Sequence, residues 1–281
     1  MRPLPVLLLA ASTASAVLAA ACGRTVGSSG AQSTTPPLTP TPTPTGTVSP
    51  VDADHDGIPD ATEAQWADEY LPFVSLTSGE QCGTPAGYLY RVRFHPEDPQ
   101  LIEIRYDHLY NTDCGALGHD GDDENFAVTV DPSQPGPQGI LAIKAISHRN
   151  TICEKDTTCG TLPGLTACDL QLRKGLPYPV VYASQNKHGD YVSLDACNSN
   201  CFDTCALVTT AADGIPMQNA GEWGAPLTTN LSMAGGFVTT ANGWSHSELL
   251  NYDPWSSSTT FGGAGIVEAD LTDAALVPPT P

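Results

Sequence analysis

The chain has 281 residues, with 11 Lys and Arg against 31 Asp and Glu, a formal charge of −20 at pH 7. That balance argues against nucleic acid as a partner and disfavours an anionic membrane surface, because either needs a basic face. An apolar fraction of 40 % supports one core of roughly 200 residues, and no Gly-rich phosphate loop of Walker or dinucleotide type occurs.

Met1 to Ala21 reads as a secretory signal: Arg2 supplies the positive start, Leu4 to Leu18 is apolar, and Ala19, Ala20 and Ala21 stand just before Cys22. Small residues ending at Cys22, followed by Gly23, resemble the lipobox of bacterial lipoproteins. The resemblance implies a lipidated Cys22 as the mature N-terminus and an exported lipoprotein held by its lipid at an outer membrane or cell surface. Cysteine parity agrees: of nine cysteines, removing Cys22 leaves eight, an even set able to close four disulfides in an oxidising compartment. Many pairings of the eight are open, and none is singled out. Cys197, Cys201 and Cys205 lack the two-residue knuckle spacing of a zinc site. Residues 22–50 form a tether. Gly23 to Pro50 holds 8 Thr, 6 Pro, 4 Ser and 4 Gly, with Arg24 its one charge, so nothing offsets the entropy of ordering it, and its Thr-Pro repeats favour extension at about 3 Å per residue.

Residues 51–65 carry the first motif. Asp52, Asp54, Asp56, Asp60 and Glu63 fall at positions 1, 3, 5, 9 and 12 of a twelve-residue loop, with Gly57 at 6 and the backbone carbonyl of Ile58 at 7. That register winds around one Ca²⁺: Gly57 permits the sharp turn, and Glu63 closes the shell with both oxygens. An EF-hand needs a helix in front, where this chain has its tether, and Pro59 takes the usual apolar position. The stretch resembles the Asp-rich calcium repeats of thrombospondin type 3 modules, which implies a rigid collar and not a sensor. Ala61 to Tyr70 is predicted to start a helix, with Trp66 and Tyr70 facing the core.

Residues 66–268 are expected to form an antiparallel β-sandwich with short helical insertions, stabilised by disulfides, followed by a tail over 269–281. Tyr88, Tyr90, Val92 and Phe94 alternate with Leu89, Arg91 and Arg93, and Ile102, Ile104 and Tyr106 with Glu103 and Arg105. Phe126, Val128 and Val130 mark a third strand; Ile140 to Ile146 and Pro179 to Ala183 mark a fourth and a fifth. Between the second and third lies Asp113 to Glu124, with five acids in twelve residues. If Asp122 and Glu124 open the third strand, the period of two points both toward the face of Phe126, into the core. Two carboxylates there stay charged only around a shared cation or proton. A divalent ion is the expected resolution, Ca²⁺ or Mg²⁺ given the oxygen-rich donors.

Gly118-His119-Asp120-Gly121-Asp122-Asp123-Glu124-Asn125 resembles the Gly-His-x-x-Asp-Trp-Glu signature of necrosis-inducing NPP1-like proteins and the related Vps62-like domains. Ala145-Ile146-Ser147-His148 and the stretch from Val181 to Tyr191, with His188 and Gly189, fit the Vps62-like pattern in order. Phe94-His95-Pro96 and Asn219-Ala220-Gly221-Glu222 echo it. The resemblance implies a β-sandwich in which His119, Asp122 and Glu124 bind a divalent ion together with an upstream Asp, for which Asp113 is the nearest. Asp123 stands where the signature has Trp, and Gly121 where the necrosis-inducing branch has a second His, so the metal site carries over better than the toxin activity.

His148 follows Ile146 in the strand alternation and is a further candidate ligand. His188 reads as a loop residue, and His95, His108 and His246 carry no signal of their own. Together these readings point to a lipid-tethered, calcium-dependent surface module, monomeric and non-catalytic, that recognises a glycan, a glycolipid headgroup or another envelope component. Trp223, Trp244, Tyr252 and Trp255 are its candidate stacking faces. The alternatives are a metal-dependent hydrolase with His148 as proton shuttle and a membrane-perturbing cytolysin acting on zwitterionic or glycosylated headgroups.

Overall fold

A computed structural model describes residues 51–219, apart from Asp54, Leu117, His119 and residues 83–84, 149–150, 161–166 and 209–212. The signal, Cys22, the tether and the four C-terminal aromatics lie outside the described residues. In chain order the elements are α1 (Asp60–Tyr70), β1 (Phe73–Leu76), β2 (Gly87–Phe94), β3 (Ile102–Thr112), β4 (Asp120–Val130), a 3-10 turn (Gly136–Gly139), β5 (Ile140–Ser147), β6 (Lys155–Cys159), β7 (Leu170–Arg173), β8 (Leu176–Ala183), β9 (Asp190–Tyr191), α2 (Leu194–Asn198) and β10 (Met217–Asn219). The larger sheet runs β10-β2-β3-β4-β5-β6. The smaller runs β1-β8-β7, with β9 paired to β8.

The mainly-β expectation holds, and the five anticipated strands are β2, β3, β4, β5 and β8. The pairing departs from a purely antiparallel sandwich in two places. β1 lies parallel to β8, with Phe73 opposite Val180, and β10 lies parallel to β2, with Met217 opposite Tyr88. Both are short edge strands brought in from far along the chain, where no hairpin turn imposes the antiparallel direction.

Strand register decides what the sandwich buries. Tyr106, Phe126 and Ala145 are successive neighbours across β3, β4 and β5. With Ile104, Val128 and Ile143 they meet Phe73, Val180 and Tyr182 of the smaller sheet in one core. α1 spans the predicted helical segment and packs on this core through buried Ala67 and Tyr70 and half-buried Trp66. The Tyr106 hydroxyl fastens it by donating to the Ala67 carbonyl at 2.8 Å.

All eight cysteines beyond Cys22 pair, as Cys82–Cys114, Cys153–Cys201, Cys159–Cys168 and Cys197–Cys205. The run 197, 201, 205 therefore holds sulfur partners in place of zinc. Cys82–Cys114 joins the β1–β2 loop to the β3–β4 loop, and Cys153–Cys201 joins the β5–β6 loop to the segment after α2. Both brace the end of the sandwich where β4 starts and β5 and β8 finish.

Candidate functional site

That braced end gathers chemistry from both sheets. Cross-strand register sets Tyr110 opposite Asp122 and His108 opposite Glu124, with Tyr88 on the far side of His108. Alternation from Phe126 turns Asp122 and Glu124 inward, and they are only 1 % and 6 % exposed. β9 and the loop before it contribute Asp190 and His188, also buried.

His188 Nδ1 lies 2.5 Å from Asp122 Oδ2, and the His188 ring stacks on Tyr110 with centroids 3.7 Å apart and planes 2° from parallel. Its Nε2 is 3.4 Å from Glu80 Oε2, and the ring lines a cavity of about 50 Å³ together with Ser184, Thr77 and Pro85. Glu80 is fixed by the backbone N–H groups of Cys82 and Asn186, which donate to its two oxygens at 2.8 Å each. Left-handed backbone at Asn186 and His188 curls the β8–β9 loop back, so that the His188 N–H reaches the Ser184 carbonyl.

Deeper in, His108 Nδ1 stands 3.4 Å from Asp190 Oδ2, longer than a charge-assisted hydrogen bond. Among the described residues, neither Asp190 oxygen and neither His108 nitrogen has a hydrogen-bond partner. Burial, then the Asp107 and Asp122 carboxylates, push Asp190 well above the usual carboxylate range. Burial, then the neighbouring His188, hold His108 down at about 3. Orphaned, fully buried carboxylate oxygens beside Asp122 and Glu124 fit a hard divalent cation, which would offset the cost of their charge.

His108 also sets the sign of an acid response. It stays neutral in the folded chain down to about pH 3, whereas the unfolded imidazole protonates near 6.5. In chelator its contribution is therefore intact above about pH 6.5 and is lost as pH falls from there toward 3. Urea melts of His108→Gln should show a shallower decline of stability between about pH 7 and 4 than the unsubstituted chain. Equal slopes would contradict a neutral, buried His108.

Of the sequence candidates, Asp122 and Glu124 meet in this site, joined by His188 and by two residues that sequence reasoning passed over, His108 and Asp190. Asp113 is buried at the site's rim, where it pairs with Lys187 Nζ and accepts the Gly115 N–H at 2.7 Å. His148 adopts a left-handed φ of 54°, which ends the strand alternation behind its candidacy, and its Nε2 sits 2.6 Å from Asp203 Oδ2. His119 lies outside the described residues.

The twelve-residue loop has its own geometry. Gly57, at φ 94°, turns the chain so that its N–H reaches Asp52 Oδ2 at 3.2 Å, while the Ile58 N–H reaches Asp56 Oδ1 at 2.7 Å and the Ala53 N–H reaches Asp60 Oδ1 at 2.8 Å. Burial, then Asp52 and Asp60, raise Asp56 above its ordinary value despite the Ile58 N–H. Asp52 Oδ1 is buried with no hydrogen-bond partner among the described residues, and Glu63 is fully buried on α1. These donors fit Ca²⁺; Asp54 lies outside the described residues. Among the described residues, one trio of His, Cys, Asp or Glu donors falls within 4.8 Å of one another, Glu80 with Cys82 and Cys114. The disulfide removes those two sulfurs as ligands, and the carboxylates of the loop and of the sandwich end are spaced more widely than that trio.

No family model and no curated protein matches the chain. Among the solved structures similar to it is one described as a toxin fold for microbial attack and plant defense, at 14 % identity and a TM-score of 0.35, covering 61 % of this chain and 82 % of that one. NLPPya in complex with glucosamine is similar at 18 % identity and a TM-score of 0.34, over 62 % and 79 %. Necrosis and ethylene inducing protein 2, from the causal agent of cocoa's witches' broom disease, is similar at 12 % identity and a TM-score of 0.34, over 62 % and 78 %. At those values the functional reading rests on this chain's own residues.

Proposed function

We propose that the chain is an exported, lipid-anchored binding protein whose sandwich end holds Ca²⁺ or Mg²⁺ and uses it to recognise a glycan or glycolipid headgroup. Asp122, Glu124 and His119 are the proposed ligands, with Asp190 and His108 behind them and His188 positioning Asp122. The observation that carries this reading is the burial of Asp122, Glu124 and Asp190 at the same end of the sandwich, with both Asp190 oxygens lacking a hydrogen-bond partner among the described residues. A hard cation supplies both the compensating charge and open coordination positions that sugar hydroxyls suit. The twelve-residue loop, with its own Ca²⁺, is the collar between tether and sandwich, and Cys22 carries the lipid.

Asp122→Asn is the test. In calorimetric titration of the soluble chain it should remove one equivalent of divalent ion, and it should lower the melting temperature only when Ca²⁺ or Mg²⁺ is present. Unchanged stoichiometry would refute the site. Binding of glucosamine- or mannosamine-bearing glycans that disappears in chelator would support the recognition role. Dye leakage from glycolipid vesicles, or turnover of a chromogenic ester, would instead favour the cytolytic or hydrolytic reading.

A further inference from the structure

Glu63 occupies the twelfth position of the calcium loop, the one that closes the shell, and its side chain is fully buried. Its Oε2 accepts a hydrogen bond from Asn219 Nδ2 at 2.8 Å, from a residue 156 positions further along the chain. Asn219 is the last residue of β10, whose three residues lie opposite Tyr88, Leu89 and Tyr90 on the edge of the larger sheet. The carbonyl of Pro216 extends that pairing by accepting the Tyr88 N–H at 2.8 Å. The loop's closing carboxylate is thus gripped by the end of an edge strand, with Glu63 itself fully buried and Asn219 half-buried.

We propose that Asn219 is a positioning residue for the loop's Ca²⁺, and that ion binding and the seating of β10 on β2 form one linked equilibrium. The inference rests on the calcium-loop reading above. A closing Glu must present both oxygens in one rotamer. An amide donor on Oε2 selects that rotamer while leaving lone pairs on both oxygens for the ion. Linkage is reciprocal: whatever factor Asn219 adds to ion affinity, the bound ion returns to the docking of β10. A parallel edge strand of three residues is short, so a contact at its last residue bears directly on how it seats against β2. The collar and the point where the chain leaves residue 219 are therefore fastened together by the ion.

The test titrates the soluble chain with Ca²⁺ in an Asp122→Asn background, which isolates the loop. Asn219→Ala should weaken loop affinity by roughly 10- to 100-fold, the range for loss of an outer-shell partner, and Asn219→Gln, which keeps the amide, should recover part of it. Hydrogen exchange supplies a readout that does not depend on a variant folding. In the unsubstituted chain Ca²⁺ should slow exchange of the β2 and β10 amides, and Asp52→Ala with Asp56→Ala should abolish that protection. If the unsubstituted loop takes up no Ca²⁺, the calcium-loop reading fails. If it takes up Ca²⁺ while Asn219→Ala binds with unchanged affinity, or while β10 exchange ignores the ion, this inference alone is overturned.

Discussion

Asp190→Asn should raise the melting temperature in chelator and shrink the gain on adding Ca²⁺ or Mg²⁺. Asp190 is fully buried, its two oxygens have no hydrogen-bond partner among the described residues, and burial together with Asp107 and Asp122 disfavours its charge. Relieving a buried group of that kind should contribute roughly 1–3 kcal/mol, or about 2–12 °C for a domain of this size. The sign against pH follows from the raised pKa. The folded chain holds the Asp190 proton above the range where the unfolded carboxyl gives it up, so ion-free stability falls as pH rises through that interval. The advantage of the Asn variant is then smallest near pH 4 and complete above the folded pKa. With ion present the order should reverse, because the variant loses charge facing the cation. Equal destabilisation with and without ion would make Asp190 a structural residue, outside any ion cluster.

The second large effect is expected at Gly118, the first residue of the Gly-His signature. A Cβ there would stand 2.2 Å from the Asp113 carbonyl oxygen, 3.0 Å from its carbon and 3.2 Å from the Cys114 Cα, all of them backbone atoms. None of the three is free to retreat. Cys114 is bonded to Cys82, its N–H donates to the Asn186 carbonyl at 3.1 Å, and Asp113 is paired with Lys187. Gly118→Ala must therefore displace the β3–β4 loop that leads into Asp122, at a cost of about 1–3 kcal/mol or more. Thermal melting and ion titration measure it, with both stability and ion affinity expected to fall. Wild-type values for both would show that the glycine is not required by packing.

The sequence made legible what depends on local period. Alternation through Phe126, Val128 and Val130 locates β4 and turns Asp122 and Glu124 inward, because one strand's parity fixes its faces. It could not show what stands across from them. His108 lies two residues beyond Tyr106 on the same face, but its meaning comes from being opposite Glu124, a fact of β3–β4 register. Asp190 belongs to a strand of two residues, too short for any period to register. β1, β7 and β10 were missed for the same reason, being four, four and three residues long. Parity misled in one respect: it carried His148 along with Ile146, while the backbone leaves the extended region at His148 itself. Disulfide pairing stayed open in sequence because it follows from which loops share an end of the sandwich.

The parallel pairing of β1 with β8 bears on how the molecule is assembled. As the chain lengthens from its N-terminus, β1 has no sheet to join until β8, roughly a hundred residues later, is available. Closure of that distant contact is slow relative to hairpin formation, and meanwhile the segment is open to strand addition by another copy. Disulfide formation then becomes a contest between correct closure of the small sheet and premature cross-linking of cysteines that emerge before it.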